Sequence, residues 1–291
     1  MTTKNLPFHE HWYLENSLNN CTDVFEGVNE IFEKAFAFPQ FGKTPQFDTR
    51  AAQNHLKREG YEAFRFGRET LAAALQQIKS NYDRRTRDKI PSTENWRLQK
   101  DCDYKTLSHE VSLERTIVSV GDNWFNQIPT SSGLVDADGN KRANIDLAKK
   151  NSEGDFDFLE LKWNRSTNNA VYATVEILRY ALVYLFSVEN GQAFGYLDEG
   201  RNTELIQASN VRLQVLAPKD YYEVDGEITY LSKLQQLSND AISGLSDQLN
   251  GPKMSLHYLV FPNGFDWDPT LEETKRKDLV RSALSGIALL L

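Results

Sequence analysis

Cysteine is scarce in this 291-residue chain: there are two, Cys21 and Cys102. Two thiols cannot build a disulfide framework, so a reducing, cytoplasmic setting is expected. The five histidines show no HxxxH or HExxH spacing, which excludes the usual zinc centres. Neither a Walker pattern nor GxGxxG occurs, so no nucleotide-phosphate cradle is expected. Ser131 and Ser132 lack a GxSxG frame, which removes the α/β-hydrolase nucleophile. No unbroken run of about 18 apolar residues is present, and the opening MTTKNLPFHEHWYLEN has neither the basic start nor the apolar stretch of a secretion signal, so no membrane association is expected. Internal repeats and low-complexity tracts are also missing. Positive charge is in short supply too, with 33 basic against 41 acidic side chains and a net charge of −8. That balance excludes a uniformly basic coat for nucleic acid.

What is present is ordinary folded-protein material, 40% hydrophobic and 25% charged. The basic residues cluster: nine lie in 65–100 against four acids. Such a run reads either as a solvated helix face or as a phosphate-contacting arm, with Arg84, Arg85 and Arg87 as the contacts. Apolar spacing predicts helices over 24–38 and 61–82, then a charged linker or exposed loop over 83–100. Beyond it the pattern predicts a helix over 107–120 and strands over 124–128, 142–149 and 156–163. A long helix over 168–187 comes next, then a short strand over 192–197 and another over 211–217. A helix over 230–249, a strand over 256–261 and a terminal helix over 271–291 complete the order. The organisation is therefore a mostly helical region 1–100 carrying the basic segment 65–100, an α/β core over 101–262, and a C-terminal helix in 263–291 that packs on the core or forms a homodimer.

The strand Phe156-Asp157-Phe158-Leu159-Glu160-Leu161-Lys162-Trp163 carries the chemistry. Side chains alternate across a strand, so Glu160 and Lys162 project together from apolar surroundings. Burying each ion costs several kcal/mol unless something compensates. The preceding strand holds Asn144-Ile145-Asp146-Leu147. A hairpin loop of about six residues would set Asp146 opposite Phe158 or Glu160, on the Glu160 face in either case. Two carboxylates and a lysine then converge. Mg²⁺ suits them, with Mn²⁺ as a substitute: it takes carboxylate oxygens and leaves positions for phosphate. A lysine alongside can orient water or offset charge developing on phosphorus.

On these residues, Ile145-Asp146-Leu147 followed by Phe158-Leu159-Glu160-Leu161-Lys162, the chain resembles the PD-(D/E)xK nuclease superfamily over roughly residues 103–217. Ile145 stands where many members have proline. The resemblance implies a restriction-endonuclease-like α/β core (helix, three strands, helix, strand) and Mg²⁺-dependent hydrolysis of DNA. It implies that Asp146 and Glu160 are metal ligands and Lys162 a catalytic residue. It also points to an acid on the preceding helix, Glu114 or Glu110, of which Glu114 falls in the apolar stripe and is the expected metal ligand. On the following helix it points to Glu176 and Tyr180, four residues apart on one face. Gln127, just before the end of the first strand, could touch substrate. The other classes considered are a non-catalytic nucleic-acid-binding or assembly protein on the same fold, and a two-carboxylate hydrolase acting on sugars, which would have no use for Lys162.

Overall fold

The computed structural model describes residues 21–36, 64–85, 91–103, 106–135, 143–152, 154–163, 169–198 and 204–291. Their elements run α1 (Val28–Ala35), α2 (Arg68–Asp83), α3 (His109–Val120), β1 (Trp124–Pro129), β2 (Asn144–Ser152), β3 (Asp155–Leu161), α4 (Ala170–Glu189) and β4 (Asn210–Ala217). A 3₁₀ turn (Lys219–Tyr221), α5 (Thr229–Gln248), β5 (Lys253–Val260), α6 (Glu273–Gly286) and β6 (Ala288–Leu289) follow. The strands form one six-stranded sheet in sequence order. β1, β2 and β3 pair antiparallel, β3, β4 and β5 pair parallel, and β6 returns antiparallel to β5. Parallel neighbours need a crossover, and α4 and α5 supply the two. The fold is mixed α/β.

Alternation along the strands divides the apolar residues between two layers. Phe156, Phe158, Val211, Leu213, Val215, Leu256 and Tyr258 meet α1, α2, α4 and α5 on one face. Leu147, Leu159, Leu161 and Leu216 meet α3 and α6 on the other. Helix α4 is long and apolar enough to cross a membrane, but most of its surface is covered within the fold.

The β2–β3 hairpin is tighter than the spacing predicts. β2 runs to Ser152 and β3 starts at Asp155, with Gly154 in the left-handed conformation (φ +74°). Ser152 faces Asp155, and that register carried unchanged along the hairpin would set Asp146 against Leu161, on the wrong face. A bulge between Lys150 and Ser152 shifts the pairing by one residue, so that Leu147 faces Leu159 and Ala148 faces Phe158. Continued by one step, this register sets Asp146 against Glu160.

Several elements differ from their expected form. Residues 192–197 are turns, because Gly195 takes φ +69° and the alternating Phe194 and Tyr196 join an aromatic cluster with Tyr82 and Phe186. Helix α3 begins at His109, which leaves Leu107 outside it and 76% exposed. The second helix starts at Arg68, and the preceding Phe64 and Phe66 pack on Phe36. Residues 91–100 are not an exposed loop: Trp96 is buried between Phe158 and Tyr184, and its backbone N–H donates to the Pro129 carbonyl (2.8 Å). Residue 100 is therefore no break in packing, since one apolar cluster joins residues 21–36, 64–78 and Trp96 to the sheet. The terminal helix stops at Gly286, and β6 replaces its last turn. Its apolar side, Val280 and Ala283, is covered by the chain's own core.

Candidate active site

The expected residues come together where β3 ends, between the start of α3 and the middle of α4. The Lys162 ammonium lies 2.6 Å from Glu160 Oε1 and 2.8 Å from Glu176 Oε2. Glu160 and Lys162 are both buried and Glu176 is nearly so, so one cation is shared by two carboxylates in a water-poor setting. Asp146 keeps some solvent access, and its Oδ2 accepts the Leu161 N–H (2.9 Å). That bond closes the hairpin end at the point where the backbone ladder stops. Glu160 Oε2 is buried without a hydrogen-bond partner.

The electrostatics follow from this crowding. Burial pushes the Asp146 carboxyl up to about 6, against the pull of Lys162 and the Leu161 N–H. Burial and then the Asp146 charge hold Glu160 well above the usual carboxylate range. Burial opposes the charge on Lys162, but Glu160, Glu176 and Asp146 outweigh it and keep the ammonium protonated far above its ordinary value. The Tyr180 phenol is likewise raised, by burial and by the same three acids, and remains a proton donor. Its ring is held edge-on by Phe25 at 6.4 Å.

Glu114 does not stand open. Its Oε1 accepts from Asn126 Nδ2 (2.7 Å) and its Oε2 from Gln127 Nε2 (2.8 Å). Burial, then Asp146, raises its carboxyl to about 8. Adjacent strand residues normally point to opposite faces. Gln127 sits at φ +52°, and this left-handed kink in β1 accompanies the delivery of both amides to one carboxylate. A non-glycine residue there costs roughly 1–3 kcal/mol, which the bonds around it must hold. The acid of α3 that reaches the end of β3 is Glu110, whose Oε1 accepts the Trp163 N–H (3.0 Å). The expected metal ligand Glu114 is thus held by two amides of β1, and the alternative Glu110 by the Trp163 backbone N–H.

No family model, curated protein or solved structure matches this chain. The reading of the site therefore rests on its geometry.

The described basic residues of 65–100 that were expected to contact phosphate are largely engaged within the chain. Arg84 bonds Asn81 (2.7 Å) and lies 4.0 Å from Glu26, while Arg85 stacks on Tyr82 (3.8 Å). Lys79 pairs with Glu189, Arg97 with Glu94, and Lys100 with the Gly121 and Asp122 carbonyls. Arg87 lies outside the described residues. Two tyrosines not expected from the sequence also face Lys162. Tyr172 lies under its ammonium (5.8 Å to the ring centre) and Tyr221 is buried near it. Tyr172 precedes Glu176 by four residues, an i,i+4 signal that spacing carries. Tyr221 comes from a distant turn and has no such signal.

Proposed function

We propose that the chain is a metal-dependent nuclease acting on DNA, with Asp146 and Glu160 as metal ligands and Lys162 as the catalytic cation. The observation that carries this reading is the buried, unpartnered Glu160 Oε2 beside Asp146. A purely structural ion pair would be expected to satisfy both oxygens. The order of helix, three antiparallel strands, helix and strand supports the same reading.

The donor set fits a hard divalent ion. Three acids (Asp146, Glu160, Glu176) surround one ammonium, and burial first, then repulsion among these acids, raises the Asp146 and Glu160 carboxyls. Among the described residues no group of three ligands is gathered as a closed metal shell. Two carboxylates with open positions is the donor set Mg²⁺ uses when substrate phosphate completes it. Bound there, the ion would polarise a phosphoryl oxygen and acidify a water. Around it, the Leu161 N–H orients Asp146, and Glu176 keeps Lys162 charged and in place. Lys162 offsets charge developing on the phosphate, and the Tyr180 hydroxyl stays protonated to donate a hydrogen bond.

The missing third ligand favours one other reading, a non-catalytic DNA-binding or assembly protein on this framework. Calorimetry separates them: a nuclease gives Mn²⁺ or Mg²⁺ binding heat that Glu160→Ala removes, together with chelator-sensitive cleavage of plasmid or oligonucleotide DNA. Full metal-dependent cleavage by Glu160→Ala overturns the assignment, and absence of metal heat in the unaltered chain favours the non-catalytic reading.

A further inference from the structure

Resting on the nuclease reading, we propose that the cavity at Gln127 and Asn144, the strand neighbours of Asp146, receives one unpaired nucleobase next to the scissile phosphate, making single-stranded DNA the substrate. The cavity measures about 550 Å³ and is lined by Lys100, Asp101, Arg115, Gln127, Ser132 and Asn144, among others. That volume falls within the roughly 300–1,000 Å³ of small-molecule sites and is far too small for paired strands.

Its position is set by strand geometry. Asn144 and Asp146 alternate on β2 and so share a face, two residues or roughly 7 Å apart. Gln127 lies on β1 between Asn126, which faces Leu147, and Ile128, which faces Ile145. It is therefore opposite Asp146. A phosphate held at Asp146 and Glu160 has its neighbouring nucleoside at the mouth of this cavity.

The lining chemistry selects a base over a second phosphate. The lining holds two acids (Glu94, Asp101) and two cations (Lys100, Arg115), with Arg115 paired to Asp101 (2.7 Å), so the cavity has no net positive charge to recruit an anion. Hydrogen-bonding capacity is left over instead. Asn144 donates to Gln127 Oε1 (3.0 Å), yet its own Oδ1 is buried without a partner. Arg115 Nε is buried without a partner as well. Both atoms are shielded as they stand; rotated into the cavity, this acceptor and donor match a base edge that offers an amino group beside a ring nitrogen or carbonyl, as cytosine and adenine do. The Watson–Crick edges of this kind are free only in unpaired bases, and a cavity this small admits a base only when it has left the helix. The left-handed Gln127 ties this wall to Glu114, whose carboxylate sits near Asp146, so the cavity and the acids form one rigid unit.

The test uses the full chain and two variants outside the catalytic set. Ser132→Phe fills the cavity while keeping the backbone bonds to Ser92 and Asn95, and Asn144→Ala removes the unpaired acceptor. Fluorescence anisotropy in EDTA with a labelled 12-mer of deoxycytidine, single-stranded or paired, reads binding. Steady-state cleavage in Mg²⁺ reads KM and kcat. The single strand should bind more tightly than the duplex, and each variant should weaken it about tenfold, raising KM with kcat within about twofold. Thermal melting checks that both variants fold. Variants that bind and cut like the parent, or equal use of duplex and single strand, overturn the cavity assignment while leaving the nuclease reading intact. If no DNA is cut under any condition, yet Ser132→Phe still selectively abolishes single-strand binding, the nuclease reading falls and the base site stands.

Discussion

Strand β3 carries two buried acids three residues apart, and their surroundings could hardly differ more. Asp157 points to the α3/α6 side of the sheet, where Arg212 Nε meets it at 2.6 Å and is itself 47% exposed. Lys149 and Arg212 flank Asp157 in the sheet, with Ser255 next in the row, and Ser255 bonds His257. This end is an ordinary polar sheet surface with partners in reach and water alongside. Glu160 faces α4, is shut away from solvent, shares its one cation with Glu176 and leaves an oxygen unpaired. A charge in an apolar strand is therefore not informative by itself. Completeness of pairing under burial is what separates a structural acid from a ligand in waiting. The acid-x-Lys pattern makes the same point: Glu273-Thr274-Lys275 lies on α6, where Glu273 pairs with the exposed-face Lys277 instead.

The largest expected effect tests that separation directly. Asp146→Asn should lower metal-dependent cleavage by about 10³-fold or more, since it removes half of the proposed donor set. Asp157→Asn, on the same hairpin, should leave cleavage within about twofold of the parent. Rates on a labelled single strand, with melting curves to confirm folding, give both numbers. Equal losses in the two variants would erase the distinction.

A second effect is in stability. Asp146 and Glu114 titrate at about 6 and about 8 in the fold, against roughly 4 in the unfolded chain. Between those limits the folded chain holds protons that the unfolded chain has released. The metal-free protein should therefore lose stability as pH rises from about 4 to about 8, by an amount on the order of a few kcal/mol. Urea unfolding across that range checks it. Mg²⁺ should restore stability toward the upper end, because metal binding requires the carboxylates to release those protons. Glu114→Gln should flatten the segment from about 6 to about 8 without abolishing the Mg²⁺ response. Stability that rises with pH in the absence of metal would contradict the raised carboxyls.

Local patterns account for much of the architecture. The alternation in β2 and β3, the apolar length of α4 and the i,i+4 pair Glu176 and Tyr180 are all short-range signals, and the site assembles from them. What spacing misses is long-range or sub-element. The hairpin bulge at Lys150–Ser152 alters a register by one residue through backbone geometry that no side-chain period records. Glu114 and Glu110 occupy successive turns of α3, and only packing against β1 decides that one is capped by Asn126 and Gln127 while the other meets Trp163. Trp96 sits in a charged, proline-bearing stretch whose composition reads as loop, yet contacts from Phe158 and Tyr184 bury it. The positive run 65–100 has a related lesson: charge density along a chain says nothing of acids and carbonyls that the fold brings alongside, as Glu189 comes to Lys79.

The smallest effect sharpens the comparison from the quiet end. A double-mutant cycle on Asp157 and Arg212, using Asn and Ala, should give a coupling of about 0.5–1 kcal/mol that shrinks in high salt. Arg212 is near half exposed, so most of its attraction to Asp157 is screened, and water replaces the lost guanidinium in the Arg212→Ala chain. Asp157 is the more buried partner, so removing Arg212 alone should cost more than removing Asp157 alone. A coupling well above that range, insensitive to salt, would mean that this pair is as shielded as Glu160 and Lys162, and that the two ends of β3 differ in pairing but not in solvent access.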